Sequence, residues 1–292
     1  MLKIELLIDA RADLGEGPLW DVAEQRLYWI DSHGKAVHAC DADGGNARSW
    51  AVPEHIGSLA LRRQGGAIVA LRDGFYTLNL TTGSTQKLAD PDPGKARIRM
   101  NDGKVDRQGR FVAGYMDYEE LEPICGVFRL DADHSVEKLD EGIICSNGPC
   151  WSPDGRIFYL ADTTKREIRS YDYDTATGRA TNRRVFASFK AHGLKGLPDG
   201  ATVDADGFVW SVSVYEGKLV RFAPNGKLDR MVGLPVENAT SLSFGGPNLD
   251  IAYVTSMARA IKGVPQRESE AGGLFMVQGL GVKGIPEPRF AG

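Results

Sequence analysis

Apolar positions along the chain fall in short runs, often alternating with polar ones, and each run stops at Gly, Asp or Asn. Apolar residues spaced three and four apart are almost absent, so the pattern predicts β-strands joined by tight turns rather than amphipathic helices. The runs also recur. WSPDGRIFYLADTTKREIRSYDYD from Trp151 and VDADGFVWSVSVYEGKLVRFAPNG from Val203 share one plan: a first strand of small or apolar residues, a turn with Gly or Asp, a second strand rich in Val, Phe, Tyr and Trp, then a third. The same plan begins at Trp20, Leu61, Val105 and Ser243, the last resuming as GGLFMVQ at Gly272. The turns near Glu24, Gly66, Gly109, Gly155, Gly207 and Asn248 lie roughly 40 to 50 residues apart, the length of a four-stranded propeller blade.

This spacing predicts an all-β fold, a six-bladed β-propeller spanning 1–292 as a single domain, because radial repetition leaves few sheet edges exposed. The N-terminal LKIELLI is expected to supply the outer strand of the last blade. Two packed sheets would be the alternative, but they give no reason for six similar units. With 292 residues, 42% hydrophobic and 25% charged, the chain can bury a sizeable core. A net charge of -4 and the absence of any Lys/Arg run argue against a phosphate-binding face, so a small-molecule partner is expected and no nucleic acid. The N-terminus meets acidic residues at once, and no apolar run nears the roughly 18 residues of a membrane helix. These features predict a cytoplasmic protein without a membrane partner, a monomer or weak homo-oligomer. Cys40, Cys125, Cys145 and Cys150 show no CxxC spacing and read as free, mostly buried thiols.

Two motifs focus the chemistry. GEGPLW (Gly15 to Trp20) and NGPCW (Asn147 to Trp151) both place an oxygen-bearing side chain four residues before an aromatic. Aligning all six units on that position selects Glu16, Ile56, Asp102, Asn147, Asp199 and Thr240. First strands of a propeller line its channel, so the polar members of this set should face one another across a small space. Asp or Asn before Gly is an ordinary turn residue when taken alone. Three converging carboxylates, however, repel one another unless a cation neutralises them. Ligation by carboxylate and amide oxygen suits a hard divalent ion such as Ca²⁺, Mg²⁺ or Mn²⁺, with Zn²⁺ and Fe²⁺ as further candidates. The five histidines are scattered and read as surface or strand residues.

GEGPLW, RMNDGKVD, SNGPCWSPDG followed by FYLADT, LPDGATVD and TSLSFGG resemble, in this order, the motifs of the SMP-30/gluconolactonase/LRE (regucalcin-like) family, and the resemblance runs from Gly15 to the end. It implies a six-bladed propeller that binds one divalent cation in its channel and hydrolyses sugar lactones to aldonic acids. By resemblance, Glu16, Asn147 and Asp199 match the metal ligands, and Asp199 also matches the general base. Asn101 matches a residue beside the metal that contacts substrate. Arg99 and Glu119 match residues that hold sugar hydroxyls, with Glu120 the other candidate for Glu119's role. Asp102 is left either lining the channel beside the cation or bracing Asn101.

GLGVKG at Gly279 matches GxGxxG, but IPEP follows where a helix should begin, so it reads as a loop. No GxSxG elbow or P-loop occurs. A non-catalytic calcium-binding or scaffold propeller, and a metal-dependent esterase or phosphotriesterase, are the competing functions. The loop from Asp117 to Cys125 is expected to gate the channel mouth.

Overall fold

The computed structural model describes residues 1–260, 266 and 268–292. Regular structure within them is entirely β, in six four-stranded antiparallel sheets. β1 (Lys3–Ile8) belongs to the last sheet. The first blade holds β2 (Gly15–Asp21), β3 (Arg26–Asp31), β4 (Ala36–Asp41) and β5 (Arg48–Ala51). The second holds β6 (Ile56–Leu61), β7 (Ala67–Leu71), β8 (Gly74–Leu78) and β9 (Thr85–Ala89). The third holds β10 (Ile98–Val105), β11 (Phe111–Asp117), β12 (Cys125–Leu130) and β13 (Val136–Ile143). The fourth holds β14 (Ser146–Trp151), β15 (Ile157–Asp162), β16 (Glu167–Tyr173) and β17 (Ala180–Ser188). The fifth holds β18 (Leu197–Val203), β19 (Val209–Val214), β20 (Lys218–Phe222) and β21 (Leu228–Gly233). The sixth holds β22 (Ala239–Gly245), β23 (Ile251–Ser256) and β24 (Leu274–Gln278), with β1 outermost.

All six turns read from the sequence fall between the first and second strands of a blade. The first strands neighbour one another in chain order, and β22 returns to β2, closing the ring as a six-bladed propeller. Burial then grades outward. β11 and β19 are buried at every position, packed between neighbouring sheets, whereas β17 and β21 are largely exposed and carry the charges. This gradient is why the second strands read as continuous apolar runs and the fourth as polar ones. β1 pairs antiparallel with β24, setting Ile4 beside Val277 and Leu6 beside Phe275, as expected of LKIELLI. All four cysteines are free and buried. Among the described residues no helix is long and apolar enough to cross a membrane.

Two features of the ring position the site. First, every inner strand carries a register shift near its start: Glu16/Leu19, Ile56/Ser58, Met100/Gly103, Asn147/Cys150, Pro198/Ala201 and Ala239/Leu242. A bulge bends its strand and re-aims side chains, here into the channel. The strands also approach so closely that a Cβ on Gly148, whose φ is 55°, would lie 2.8 Å from the Asp199 carbonyl oxygen. Glycine there is a requirement of the inner ring. Second, the C-terminal segment crosses the far end of the channel. Gly284 N–H donates to Leu249 O, Phe290 N–H to Leu61 O and Ala291 N–H to Gly109 O. Glu287 is held by Lys104 at 3.3 Å, and Glu287 and Pro288 leave only a residual void of about 20 Å³ beneath the inner strands. The channel therefore has one open mouth.

Candidate functional site

At that mouth lies a cavity of about 230 Å³, lined by Glu16, Arg99, Asn101, Glu120, Asn147, Thr163, Asp199, Tyr215 and Arg259, with Leu14, Met116, Cys145 and Met257 among its apolar walls. Ligand sites for drug-sized molecules usually exceed about 300 Å³, so this one suits a single sugar-sized ring. The side chains are placed by a chain of hydrogen bonds. Arg99 Nη1 donates to Asn101 Oδ1 (2.8 Å), and Asn101 Nδ2 donates to Asn147 Oδ1 (2.8 Å) and to Ser146 O (2.9 Å). Asn147 Nδ2 donates to Thr163 Oγ1, whose hydroxyl donates to Pro198 O beside Asp199, both at 2.8 Å. The orientation of the Asn147 amide is thereby fixed, leaving a lone pair on Oδ1.

The electrostatics are unusual for a protein interior. Burial raises the Glu16 carboxyl well above the ordinary carboxylate range, and the nearby charges of Asp199 and Asp102 raise it further. Asp199, 8% exposed, is raised in the same way by burial and then by Asp102 and Glu120. Each accepts a backbone hydrogen bond, Glu16 from Gly17 and Asp199 from Gly200, and neither has a cationic side chain within 4 Å among the described residues. Carboxylates left unpaired in this way, Asp199 buried and Glu16 partly so, call for a cation or a proton. Among the described residues no three His, Cys, Asp or Glu side chains form a metal cluster by themselves. The amide oxygen of Asn147 lines the same cavity, and the three together offer an all-oxygen donor group of a kind that fits a hard divalent ion.

Several expectations are redrawn by the geometry. Asp102 does not share the cavity with Glu16, Asn147 and Asp199. Within its bulge, Asn101 occupies the place that Asp199 holds in β18, so Asp102, one residue later, turns toward the closed end of the channel. There it accepts hydrogen bonds from the amides of Gly103 (2.8 Å) and Gly148 (2.9 Å), and so braces the backbone next to Asn147. Thr240 is fully buried; its hydroxyl donates to Gly15 O and contacts Thr255 Oγ1. Glu119 points away from the cavity and pairs with Arg97 at 3.2 Å, whereas Glu120 lines it. Both belong to a loop drawn around the Asp117 carboxylate, which accepts the amides of Glu119, Leu121 and Glu122. This folds the loop so that Glu120 adopts φ 53° and consecutive side chains diverge.

Sequence reasoning missed Arg259, Tyr215 and Thr163. Thr163 and Tyr215 each directly follow the second strand of their blade, and this shared repeat position could have flagged both; Arg259 lies three residues past β23 and had no repeat to mark it. Two of the supposedly scattered histidines also meet: His33 and His55 stack at 4.8 Å near the rim, with Arg259 Nη1 3.1 Å from His33 Nε2.

Comparison with known proteins agrees with this architecture. The family model described as "SMP-30/Gluconolactonase/LRE-like region" matches residues 14–258. Regucalcin of Xenopus laevis is 37% identical over 299 residues, covering 100% of this chain and 99% of its own. Among solved structures, a luciferin-regenerating enzyme superposes with a TM-score of 0.93 at 28% identity, covering 100% of both chains. A calcium-binding protein, regucalcin, from Agrobacterium tumefaciens gives 0.90 at 26% identity, covering 98% of this chain and 96% of that one. With a full-length relative above one-third identity and a family match across most of the chain, this six-bladed propeller belongs to the SMP-30/gluconolactonase/LRE-like family.

Proposed function

We propose that the protein is a divalent-metal-dependent hydrolase of sugar lactones, releasing the open-chain aldonic acid. The observation that carries this reading is the convergence of Glu16, Asn147 and Asp199, without a cationic partner, on one side of a single-mouthed cavity of sugar size. A divalent ion held by these three residues would polarise the lactone carbonyl and offset the negative charge that grows on its oxygen.

The remaining work falls to the chain. Asp199 has a carboxylate oxygen to spare for the proton of the attacking water, and burial keeps that carboxylate poorly solvated and therefore basic. Water adds to the carbonyl carbon, the ring C–O bond breaks, and the proton is delivered to the departing ring oxygen, leaving a hydroxy acid. Arg99 offers donors to ring and hydroxyl oxygens, and Glu120 and the remaining lone pair of Asn101 Oδ1 offer acceptors to hydroxyl groups, since both Asn101 amide protons are taken by Asn147 and Ser146. Cys145 also lines the cavity, but burial raises its thiol far above neutrality, which disfavours a thiolate nucleophile.

That the Agrobacterium neighbour is described as calcium-binding favours a second reading, in which the same residues hold an ion without turnover. Hydrolysis followed by pH indicator on a panel of aldonolactones and one apolar ester separates the two. Turnover of the lactones supports the lactonase. Ion binding with no turnover supports the second reading, and preference for the apolar ester contradicts a polar sugar site.

A further inference from the structure

Among the described residues four arginines are buried: Arg99 (4% exposed), Arg129 (5%), Arg169 (9%) and Arg221 (4%). Three of them hold carboxylates. Arg129 pairs with Asp131 at 2.7 Å, Arg169 with Asp162 at 3.0 Å and Arg221 with Asp204 at 2.7 Å. Arg99 has none within 4 Å among the described residues; its partners there are the Met100 carbonyl and the Asn101 amide oxygen, both on Nη1. A buried guanidinium without a counter-ion is costly, and this one borders the cavity.

A second arginine on the cavity wall shares the condition. Arg259 has no carboxylate within 4 Å among the described residues and donates instead to His33 Nε2. Since His33 Nε2 accepts, its proton sits on Nδ1, which faces Asp13 Oδ2 at 3.3 Å. Burial, followed by Arg259 and Arg99, pushes the His33 imidazole down to about 4, so it is neutral at pH 7 and serves to aim the guanidinium. His55, stacked on His33, is lowered as well, by burial and then by Arg99. Both guanidiniums line the same cavity, and burial, with Arg259 as a lesser contributor, lowers Arg99. Two guanidiniums thus border one cavity, neither with a carboxylate within 4 Å among the described residues. If a divalent ion is balanced by Glu16 and Asp199, Glu120 is the one remaining carboxylate among the described lining residues, against two arginines, and the cavity is left net positive.

We propose that Arg99 and Arg259 bind an anionic substituent of the substrate, so that this cavity takes sugar lactones carrying a second acid group, carboxylate or phosphate, away from the reacting carbonyl. The inference rests on the lactonase reading for its reaction but not for its binding site. A guanidinium pair matches the planar oxygens of such a group and forms charge-assisted bonds with it. Arg259 is the specificity-determining member, because Arg99 is also tied to Asn101 and the ion-binding side of the cavity.

The test compares kcat/KM for a neutral hexonolactone, the monolactone of a hexaric acid and a 6-phosphohexonolactone, in the wild type and in Arg259→Gln and Arg259→Lys. At least one acid lactone is expected to exceed the neutral one by about tenfold or more, and which of them does so distinguishes carboxylate from phosphate. Arg259→Gln should lower that acid-to-neutral ratio by about tenfold, with Arg259→Lys retaining part of it. A neutral lactone turned over as well as both acid lactones, or a ratio unmoved in Arg259→Gln, overturns the proposal while leaving the lactonase reading intact. Calorimetry with the hexarate dianion and a hexonate reads the site without turnover. Hexarate binding that weakens in Arg259→Gln, in a protein that hydrolyses no lactone, would sustain the anion site and defeat the lactonase reading. Absence of both hydrolysis and hexarate binding defeats both.

Discussion

Asp199 sits where two requirements meet, since it is a candidate ligand for the cation and the carboxylate best placed to take a proton from water. If it is the base, Asp199→Asn should slow lactone turnover by about 10² to 10⁴ while ion binding, read by calorimetry, is partly kept; unchanged turnover removes Asp199 from the chemistry. The raised pKa values of Glu16 and Asp199 also predict a pH dependence. Their folded values lie above those of the unfolded chain, so the metal-free fold is favoured by protonation. That contribution is fully present below about pH 4 and is lost as pH rises through the raised folded values. A divalent ion replaces the protons, and its stabilising increment in Tm should be larger at pH 8 than at pH 5. Equal increments at both values would contradict the placement of the ion between these carboxylates. Glu16, Asn147 and Asp199 stood out in the sequence because each precedes a glycine, favoured by a positive φ at Gly17 and Gly148 and by close contact with Ser241 at Gly200. Asp102 was misplaced because a bulge hides a one-residue offset, and Glu120 was confused with Glu119 because a left-handed residue in the loop sends the two side chains apart. Arg259 carried no signal, as it follows β23 outside any repeated motif.

Three blades, the first, third and fourth, position parts of the site through their second strands as well as their first. Asp31, Asp117 and Asp162 end β3, β11 and β15, and each gathers backbone amides. Asp31 accepts from Asp13 and Leu14 just before β2, and Asp162 from Ile144 and Cys145 just before β14. These carboxylates set where Glu16 and Asn147 enter the channel. Asp162 is fully buried and also pairs with Arg169. Asp162→Ala would leave that arginine buried without a counter-ion, a loss of about 3–5 kcal/mol readable by denaturant unfolding. A loss under about 1 kcal/mol, the level of an exposed pair, would show that the pair bears little of the load. Strand order and turns were readable because the repeat states them six times. The loop bracing was not, since Asp at a strand end looks the same whether it caps a turn or anchors the next blade's entrance.

Ring closure depends on chain segments that lie far apart in sequence. β1 completes the sixth blade, and the C-terminal segment stoppers the channel, with Arg289 on Asp21 and Glu287 on Lys104. Deleting residues 1–8 should expose the edge of β24, lower Tm and promote association that increases with concentration; an unchanged Tm in a monomeric variant would show that β1 is dispensable. The closing strand could be read from LKIELLI, because only an outer strand lacked a partner in the repeat count. The stopper could not, because residues 280–292 have no periodicity and are fixed by tertiary contacts alone. With one end closed, the candidate ion ligands, Asp199 among them, and the arginines share a single chamber, and catalysis under the proposed function should depend on the ion. The decisive measurement is aldonolactone hydrolysis by protein stripped with chelator and then given Ca²⁺, Mg²⁺, Mn²⁺, Fe²⁺ or Zn²⁺ in turn. Turnover is expected to vanish on stripping and return with at least one ion at one equivalent per chain. Full turnover by the stripped protein, or none with any ion bound, would contradict a metal-dependent lactonase.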